Sequence, residues 1–243
     1  MPRFFTENID QNSGSITGED AKHIARVLRM KNGQPLTVCD TKGYDYACTI
    51  EGITDEQIDL KVLSRSPSVT EPNVSVHLYQ AMPKADKLEL IIQKAVELGA
   101  YRVVPVSMKR SVVKLDAKKA DAKRKRWNAV SESAAKQSKR SLIPEVAPLM
   151  TYKEAVKEAA GYDMVLLPYE SADGIRKTRE LLASVKPGTD IAVFIGPEGG
   201  FENEEVELAR ENGAEIVTLG KRILRTETAG LCMLSALMLQ LEV

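Results

Sequence analysis

Hydrophobic and polar residues follow two different patterns along the chain, and the change comes near residue 73. In the first part, apolar and polar residues alternate over short segments that end at turn residues such as Gly43 and Gly52. Alternation places successive side chains on opposite faces of a strand, so each segment is predicted to be a β-strand. The predicted strands are 35–39, 46–50 and 57–63.

One helix is predicted within this first part, over residues 19–29. Its apolar residues recur at helical spacing and are Ala21, Ile24, Val27 and Leu28. The Ser- and Pro-rich segment 64–73 then has the composition of a linker. We therefore predict a small, mainly β domain over residues 1–72.

Beyond residue 73, apolar runs alternate with amphipathic helical segments. This alternation is typical of a parallel sheet with crossover helices, so an α/β domain is predicted over residues 73–243. The predicted strands are 74–81, 102–106, 164–167, 191–195 and 216–219, and the predicted helices are 87–98, 117–139, 206–212 and 226–241. The last helix is apolar enough to lie in an interface or in the core, and its pattern slightly favours the core.

Composition narrows the class of protein. With 243 residues, 43% hydrophobic and 28% charged, the chain resembles globular proteins and not disordered, collagen-like or disulfide-rich ones. The N-terminal segment lacks the apolar core of a signal peptide, and no uncharged apolar stretch reaches about 18 residues, so we expect a cytoplasmic protein without a membrane span. Three cysteines without a CxxC pair and two histidines indicate no metal site.

The overall charge of zero conceals a basic middle third. Residues 73–142 contain 16 Lys or Arg and 6 Asp or Glu, whereas the segments before and after them are acidic. Much of this charge lies in the predicted helix 117–139. Clustered cations are typical of a phosphate-binding face, and equally of a solvated helix face.

Candidate chemistry lies in the loops that follow the predicted strands, because open parallel sheets bind ligands beyond the carboxyl ends of their strands. The loop Gly196-Pro197-Glu198-Gly199-Gly200-Phe201 is neither a P-loop nor a dinucleotide-binding GxGxxG motif. Its glycines permit close approach of a ligand to the backbone. Its glutamate disfavours phosphate and suits a neutral or cationic ligand, although a tight turn alone would also explain the glycines.

A second loop runs from Leu219 to Gly230 and joins the last predicted strand to the closing helix. Thr226 or a neighbour is a plausible N-cap, and Glu227 suits the positive end of the helix dipole. The basic residues beside Glu227 are compatible with a structural ion pair as well as with a binding site.

Together these two loops, Ile195 to Phe201 and Leu219 to Ala229, resemble the signature loops of the ribosomal RNA small subunit uracil-N3-methyltransferases, members of the SPOUT class. The resemblance extends over most of the chain. It includes Arg3-Phe4-Phe5, the helix that ends in Glu97-Leu98-Gly99, and the segment from Glu132 to Arg140.

The resemblance implies an N-terminal PUA-like RNA-binding β-barrel and a C-terminal SPOUT domain with a deep trefoil knot, an arrangement that sequence pattern alone does not predict. It implies S-adenosylmethionine as cofactor, methylation of N3 of a uridine in 16S ribosomal RNA, the small ribosomal subunit as partner, and a homodimer. The implied cofactor-binding residues are Leu166, Leu167, Pro168, Ile195, Gly196, Pro197, Gly199, Gly200, Leu219, Gly220, Arg222, Ile223, Leu224, Thr228 and Ala229.

Uracil N3 carries a proton at neutral pH, so methylation requires a base or cationic groups that stabilise the uracil anion. We assign this catalytic role to Arg225. Glu198 either complements the sulfonium charge of the cofactor or anchors its own loop. The candidate RNA-binding residues are Arg3, Arg26, Arg29, Lys84, Lys87, Arg110 and Arg140.

Two other classes of function are compatible with parts of the pattern. A non-catalytic RNA-binding or ribosome-assembly factor would use the basic middle third and would not bind the cofactor. A dehydrogenase on a doubly wound sheet would require a glycine loop earlier in the chain and with different spacing. Neither alternative explains both signature loops.

Overall fold

The computed structural model describes residues 1–113, 115, 117–170 and 174–241 of the chain. The chain divides into two compact units. Unit 1 comprises residues 1–71 and 135–143, and unit 2 comprises residues 72–134 and 144–243. Residues 135–143, which the sequence-based division left in the C-terminal domain, are therefore grouped with the N-terminal segment.

Unit 1 is built on a sheet with strand order β1-β3-β4-β5-β2, in which β1 and β3 are parallel and the other pairs are antiparallel. The three predicted strands are confirmed as β3, β4 and β5. Buried side chains such as Leu36, Ile50 and Leu60 form the core of the unit. The elements are β1 (Arg3–Phe5), β2 (Ser13–Thr17), α1 (Gly18–Lys22), β3 (Pro35–Cys39), β4 (Tyr44–Ile53) and β5 (Gln57–Pro67).

The predicted helix over 19–29 is only partly correct. After α1 the chain forms a π-helical turn, His23–Val27, in which the amide of Leu28 donates to the carbonyl of His23. A π-turn contains an additional residue per turn and so shifts the following side chains around the axis. Val27 is consequently 67% exposed and does not share the buried face of Ile24.

The predicted linker over 64–73 is wrong in its first half. Strand β5 continues to Pro67, and Arg65 is the register partner of Tyr46 on β4. The guanidinium of Arg65 lies 3.5 Å from the ring centroid of Tyr44. This cation–π contact stabilises the end of a strand whose Ser and Pro residues indicate a loop.

A buried ion pair joins the 135–143 segment to the rest of unit 1. Arg140 has only 4% of its side chain exposed and pairs with the carboxylate of Glu71. The same carboxylate accepts a hydrogen bond of 2.6 Å from the amide of Ser141. These contacts explain why the segment is grouped with residues 1–71.

Unit 2 contains a parallel sheet with strand order β12-β10-β11-β6-β7-β8, and β9 pairs with β7. The predicted parallel α/β arrangement is confirmed. Tyr79 on β6 stacks on Phe194 of β11 in its core, at a centroid distance of 4.6 Å. The elements are β6 (Ser75–Ala81), α2 (Lys87–Glu97), β7 (Arg102–Ser107), α3 (Ala117–Gln137), β8 (Glu145–Val146), β9 (Met150–Thr151), α4 (Tyr152–Ala159), β10 (Met164–Pro168), α5 (Ile175–Ser184), β11 (Asp190–Ile195), α6 (Asn203–Glu211), β12 (Glu215–Val217) and α7 (Thr226–Leu241).

Two boundaries in unit 2 differ from the predicted ones in ways that matter for the site. Strand β12 ends at Val217, so Thr218 and Leu219 lie in the loop and not in the strand. The basic helix α3 ends at Gln137, two residues before the predicted end. Trp127 on α3 is 3% exposed and therefore packs in the protein interior.

Candidate functional site

A cavity of about 380 Å³ lies in unit 2 where the chain leaves β10, β11 and β12. These strands are neighbours in the sheet, so the loops that follow them converge at one edge. The cavity is lined by Lys87, Pro168, Tyr169, Glu170, Ile195, Gly196, Pro197, Glu198, Gly200, Phe201, Thr218, Leu219, Gly220, Arg222, Ile223, Leu224, Arg225, Thr226 and Ala229.

Most of the predicted cofactor residues line this cavity together with Arg225 and Glu198, and a few do not. Leu166 and Leu167 are fully buried in β10, where they pack in the core. Gly199 lies under the side chain of Arg110, and Thr228 is exposed on α7. The structure thus brings the two signature loops together, as their resemblance implies.

The first loop is compact because small residues let side chains pack against its backbone. A Cβ placed on Gly196 would lie 3.0 Å from the ring of Phe201, and one on Gly199 would lie 3.1 Å from Cβ of Arg110. Gly200 has a φ of +71°, a conformation that L side chains rarely adopt. Arg110 closes the loop from outside by donating to the carbonyl of Gly199 and to the carboxylate of Glu202.

The second loop is anchored at both ends by threonine side chains. At its start, the hydroxyl of Thr178 on α5 donates to the carbonyl of Thr218 over 2.8 Å. At its end, the hydroxyl of Thr226 donates to the carbonyl of Gly196 over 2.7 Å and so joins the two loops. Between them Gly220 has a φ of +116°.

Lys87 connects the two loops electrostatically. Its Nζ lies 3.5 Å from Oε1 of Glu198 and 3.2 Å from Oε2 of Glu227, the second residue of α7. Oε1 of Glu198 also accepts a hydrogen bond of 3.1 Å from the backbone amide of Lys84. Lys87, a predicted RNA-binding residue, lies in the cavity wall.

The two carboxylates are held in their charged form. Burial alone would raise the pKa of Glu198, but the amide of Lys84, its own amide and the ammonium of Lys87 outweigh burial and lower it. Its own backbone amide at the start of α7, followed by Lys87, lowers the pKa of Glu227. Both groups are therefore anionic at neutral pH.

Arg225 is a cavity cation that acts on Glu227 only through its charge, which helps to lower the pKa of that carboxyl. It is exposed at the cavity wall, and its guanidinium forms no hydrogen bond or ion pair with the residues that the structure describes. Such a group is available to a ligand.

The other predicted RNA-binding residues differ in availability. Arg3 pairs with Asp45 and has 8% of its side chain exposed, and Arg140 is buried against Glu71. Arg26 is exposed and pairs with Asp55 at the surface of unit 1. The side chains of Arg29 and Lys84 are exposed.

Sequence reasoning missed several cavity residues. Phe201 was noted only as the end of the glycine loop, and Thr218 was assigned to a strand. Gln80, buried under the cavity wall and bonded to Thr226, was treated as an ordinary strand residue. A polar residue at the carboxyl end of an otherwise apolar strand is the signal that would have identified it.

The described ranges contain neither a membrane-spanning helix nor a cluster of metal ligands. None of the helices in residues 1–113, 117–170 and 174–241 is long and apolar enough to cross a membrane. In the same part of the chain, no three His, Cys, Asp or Glu side chains are grouped as metal ligands.

Family models match both units. Residues 70–238 match the RNA methyltransferase domain, and residues 16–63 match the RNA methyltransferase PUA domain. The chain is also 36% identical to ribosomal RNA small subunit methyltransferase E of Bacillus subtilis, over 100% of this chain and 98% of that protein. The enzyme of the same name from Mycobacterium tuberculosis is 32% identical over 91% of this chain and 84% of that protein.

Solved structures with the same fold include two with bound cofactor. Ribosomal RNA small subunit methyltransferase E of Neisseria gonorrhoeae, bound to S-adenosyl methionine, is 30% identical with a TM-score of 0.85 over 98% of this chain and 97% of that one. A Legionella pneumophila methyltransferase with bound SAM is 30% identical with a TM-score of 0.86, over 98% and 96%. From the family models and these full-length relatives, we conclude that the chain belongs to the RNA methyltransferase family that includes ribosomal RNA small subunit methyltransferase E.

Proposed function

We propose that this protein transfers a methyl group from S-adenosylmethionine to N3 of a specific uridine in 16S ribosomal RNA. The observation that carries the proposal is the cavity formed by two glycine-containing loops at the carboxyl edge of a parallel sheet, in a chain of this family. Members of the family with the same fold have been crystallised with S-adenosylmethionine bound.

The residues of the cavity fit this cofactor chemically. Apolar walls from Ile195, Leu219 and Leu224 suit an adenine ring, and the glycine backbones of both loops leave room for close contact. The cofactor supplies an electrophilic methyl group attached to a positively charged sulfur. The backbone groups of 195–200 and 219–224 would hold it in place.

Glu198 has a structural role in this proposal. Its carboxylate is already bonded to the amide of Lys84 and close to Lys87, so it ties the first loop to the start of α2. Lys87 lies near Glu227 as well, so Glu198, Lys87 and Glu227 form one group of paired charges at the cavity. Lys87 is therefore assigned to the cofactor site and not to the RNA surface.

Arg225 is assigned to the methyl acceptor. Its exposed guanidinium donates to a carbonyl oxygen of the uracil and stabilises the negative charge that develops when N3 loses its proton. Holding the base in this way also aligns N3 with the methyl group, because displacement at carbon requires an in-line approach. The target base has to leave its RNA stack in order to enter the cavity.

RNA contacts outside the cavity are assigned to exposed cations. Arg26, Arg29 and Lys84 have exposed side chains and are the candidates for phosphate contacts. Arg3 and Arg140 are held in ion pairs with little exposure, and Arg110 braces the glycine loop, so these three are given structural roles.

The proposal also includes the assembled small ribosomal subunit as substrate, a cytoplasmic location, a knotted path through the two signature loops, and a homodimer. The resemblance of the two signature loops to this family supports the dimer and the knotted path. A ribosomal substrate supports the location.

Complementation in cells tests the proposal. In a strain that lacks the gene, 3-methyluridine should disappear from one position of 16S ribosomal RNA, and the wild-type gene should restore it. The variant Arg225→Ala should express to the same level and fail to restore it. Unchanged 3-methyluridine in the deletion strain would contradict the proposed activity.

A further inference from the structure

Gln80 lies at the end of β6, directly under the cavity wall, and is fully buried. In the sheet it is the register partner of Ile195, the last residue of β11 before the first signature loop. Its Nε2 donates to Oγ1 of Thr226 over 2.8 Å and to the carbonyl of Ala81 over 3.1 Å. Gln80 itself does not line the cavity.

The contact with Ala81 fixes the direction of these bonds. A backbone carbonyl only accepts hydrogen bonds, so the side-chain atom of Gln80 that faces it has to be the amide nitrogen. The same nitrogen therefore donates to Thr226. Because the hydroxyl of Thr226 accepts from Gln80, its own proton is directed to the carbonyl of Gly196, 2.7 Å away.

A chain of two hydrogen bonds thus runs from β6 through the first residue of α7 to the first residue of the glycine loop. Thr226 is 5% exposed, so water does not compete freely for these bonds. Thr226 and Gly196 belong to different signature loops, and both line the cavity. The relative position of the two loops therefore depends on Gln80.

The oxygen of the same side chain indicates that the amide is not present for packing alone. Oε1 of Gln80 is buried and has no hydrogen-bond partner among the described residues. A buried acceptor without a partner destabilises the folded state, and an apolar side chain of similar size would avoid that cost. The stabilising contribution of the amide therefore comes from its nitrogen, which donates a hydrogen bond to Thr226.

We propose that Gln80 is a positioning residue that, through the hydroxyl of Thr226, holds the two cofactor-binding loops in their binding geometry. The identity of the bound molecule rests on the proposed function. The effect on the loops does not, because both hydrogen bonds join protein atoms only.

Three variants separate this role from general stability. Gln80→Glu keeps the size of the side chain but replaces the donor with an acceptor, which draws the proton of Thr226 away from Gly196. Thr226→Val removes the hydroxyl at constant volume. Ser131→Ala is the matched control, because Ser131 is also fully buried in unit 2 and donates to a backbone carbonyl, that of Pro144, away from the cavity.

Two measurements apply to every variant. Hydrogen exchange of the protein without ligand should become faster in peptides that cover 195–201 and 219–228 for Gln80→Glu and Thr226→Val, and not for Ser131→Ala. The dissociation constant of S-adenosylmethionine should rise about tenfold for either loop variant, the effect of one buried hydrogen bond. The double variant should bind S-adenosylmethionine no more weakly than the weaker-binding single variant, because both substitutions break the same pair of hydrogen bonds.

The two hypotheses fail separately. If the wild-type protein does not bind S-adenosylmethionine, the proposed function is wrong, and the exchange measurement still decides the role of Gln80. The inference would be overturned if hydrogen exchange in both loops stays at the wild-type rate in Gln80→Glu and Thr226→Val. An equal increase in the exchange rate of both loops in Ser131→Ala would also overturn the inference. It would show that the faster exchange comes from a general loss of stability.

Discussion

The ammonium of Lys87 lies 3.5 Å from the carboxylate of Glu198, so the first residue of α2 is tied to the glycine loop after β11. The same ammonium reaches Glu227 at the start of α7. One side chain thus holds three elements around the cavity through its contacts with two carboxylates.

Replacing Lys87 with methionine should weaken cofactor binding and leave the electrostatic part of RNA binding unchanged. We expect the dissociation constant of S-adenosylmethionine to rise about tenfold, because a bond to two partly buried carboxylates is lost. Isothermal titration calorimetry measures this. Lys84→Met should give the opposite result, because its exposed side chain makes none of these contacts and is assigned to RNA: cofactor affinity should stay unchanged and the salt dependence of RNA binding should fall. If Lys87→Met has normal cofactor affinity and a reduced salt dependence of RNA binding, Lys87 is an RNA-binding residue and not part of the cofactor site.

Arg225→Ala should reduce turnover far more than cofactor affinity. The guanidinium is assigned to the uracil, so kcat should fall by about 100-fold, as for the loss of one donor to a developing negative charge. The dissociation constant of S-adenosylmethionine should change by less than about threefold. Single-turnover kinetics and calorimetry give the two values. An equal loss of turnover and of cofactor affinity would contradict the assignment of Arg225 to the methyl acceptor.

Gly200→Ala should lower the affinity for S-adenosylmethionine, whereas Gly188→Ala should leave it unchanged. Both glycines have positive φ, +71° and +84°, and a Cβ on either would meet no atom within 4 Å. Each substitution should therefore destabilise the protein by about 1 kcal/mol through backbone strain alone. Gly188 does not line the cavity, so weaker binding of S-adenosylmethionine should accompany Gly200→Ala only. Equal binding by the two variants would show that the geometry of Gly200 is irrelevant to the cofactor.

Glu71→Gln should destabilise unit 1 by about 3 kcal/mol, because it removes the negative charge of the carboxylate that pairs with the buried guanidinium of Arg140. Native-state hydrogen exchange of the β3 and β4 amides measures this loss. Glu180→Gln, which breaks the exposed pair with Arg176, is the control and should change stability by less than about 0.5 kcal/mol.

The same pair predicts how the stability of unit 1 depends on pH. Burial alone would raise the pKa of Glu71, but Arg140 and the amide of Ser141 lower it below the ordinary value of 4.5. A carboxyl with a lowered pKa stabilises the fold above its unfolded-state pKa and loses that contribution as the pH falls through its folded-state pKa. Protection of the β3 and β4 amides from hydrogen exchange should therefore decline as the pH falls below 4.5, the ordinary pKa of this carboxyl. The decline should be much smaller in Glu71→Gln. The same acid sensitivity in both proteins would contradict this assignment.

Arg29→Ala should weaken RNA binding through charge. Removing one phosphate contact reduces the slope of log affinity against log salt by about one for duplex RNA, and by somewhat less for a single strand. Fluorescence anisotropy with a 16S RNA fragment at several salt concentrations measures the slope. Arg176→Ala provides a control at an exposed arginine of α5. An identical slope in Arg29→Ala and the wild type would exclude Arg29 from the RNA surface.

Periodicity predicted most of the fold because the buried strands have uninterrupted apolar runs. Strands β10 and β11 and helix α7 lie close to or at their predicted bounds. The failures have local causes. The π-turn after α1 depends on one backbone hydrogen bond, and the extension of β5 depends on a tyrosine partner on another strand, so neither is encoded in a periodic pattern.

Within the site, sequence identified the two loops but not how they are joined. The resemblance of these loops to the methyltransferase family implies that Gly196 and Gly220 bind the cofactor. The contacts of Lys87 with Glu227 and of Gln80 with Thr226 span 140 and 146 residues of sequence. Such contacts follow from strand order, which pattern alone does not determine.

The most direct test of the account is methyl transfer in a purified system. Wild-type protein, labelled S-adenosylmethionine and small ribosomal subunits from cells that lack this gene should yield labelled 3-methyluridine, identified by mass spectrometry of the digested nucleosides. Transfer should be greater to assembled subunits than to naked 16S RNA. Labelled methyl on a different nucleoside, or no transfer to either substrate by protein that binds the cofactor, would contradict the proposed reaction.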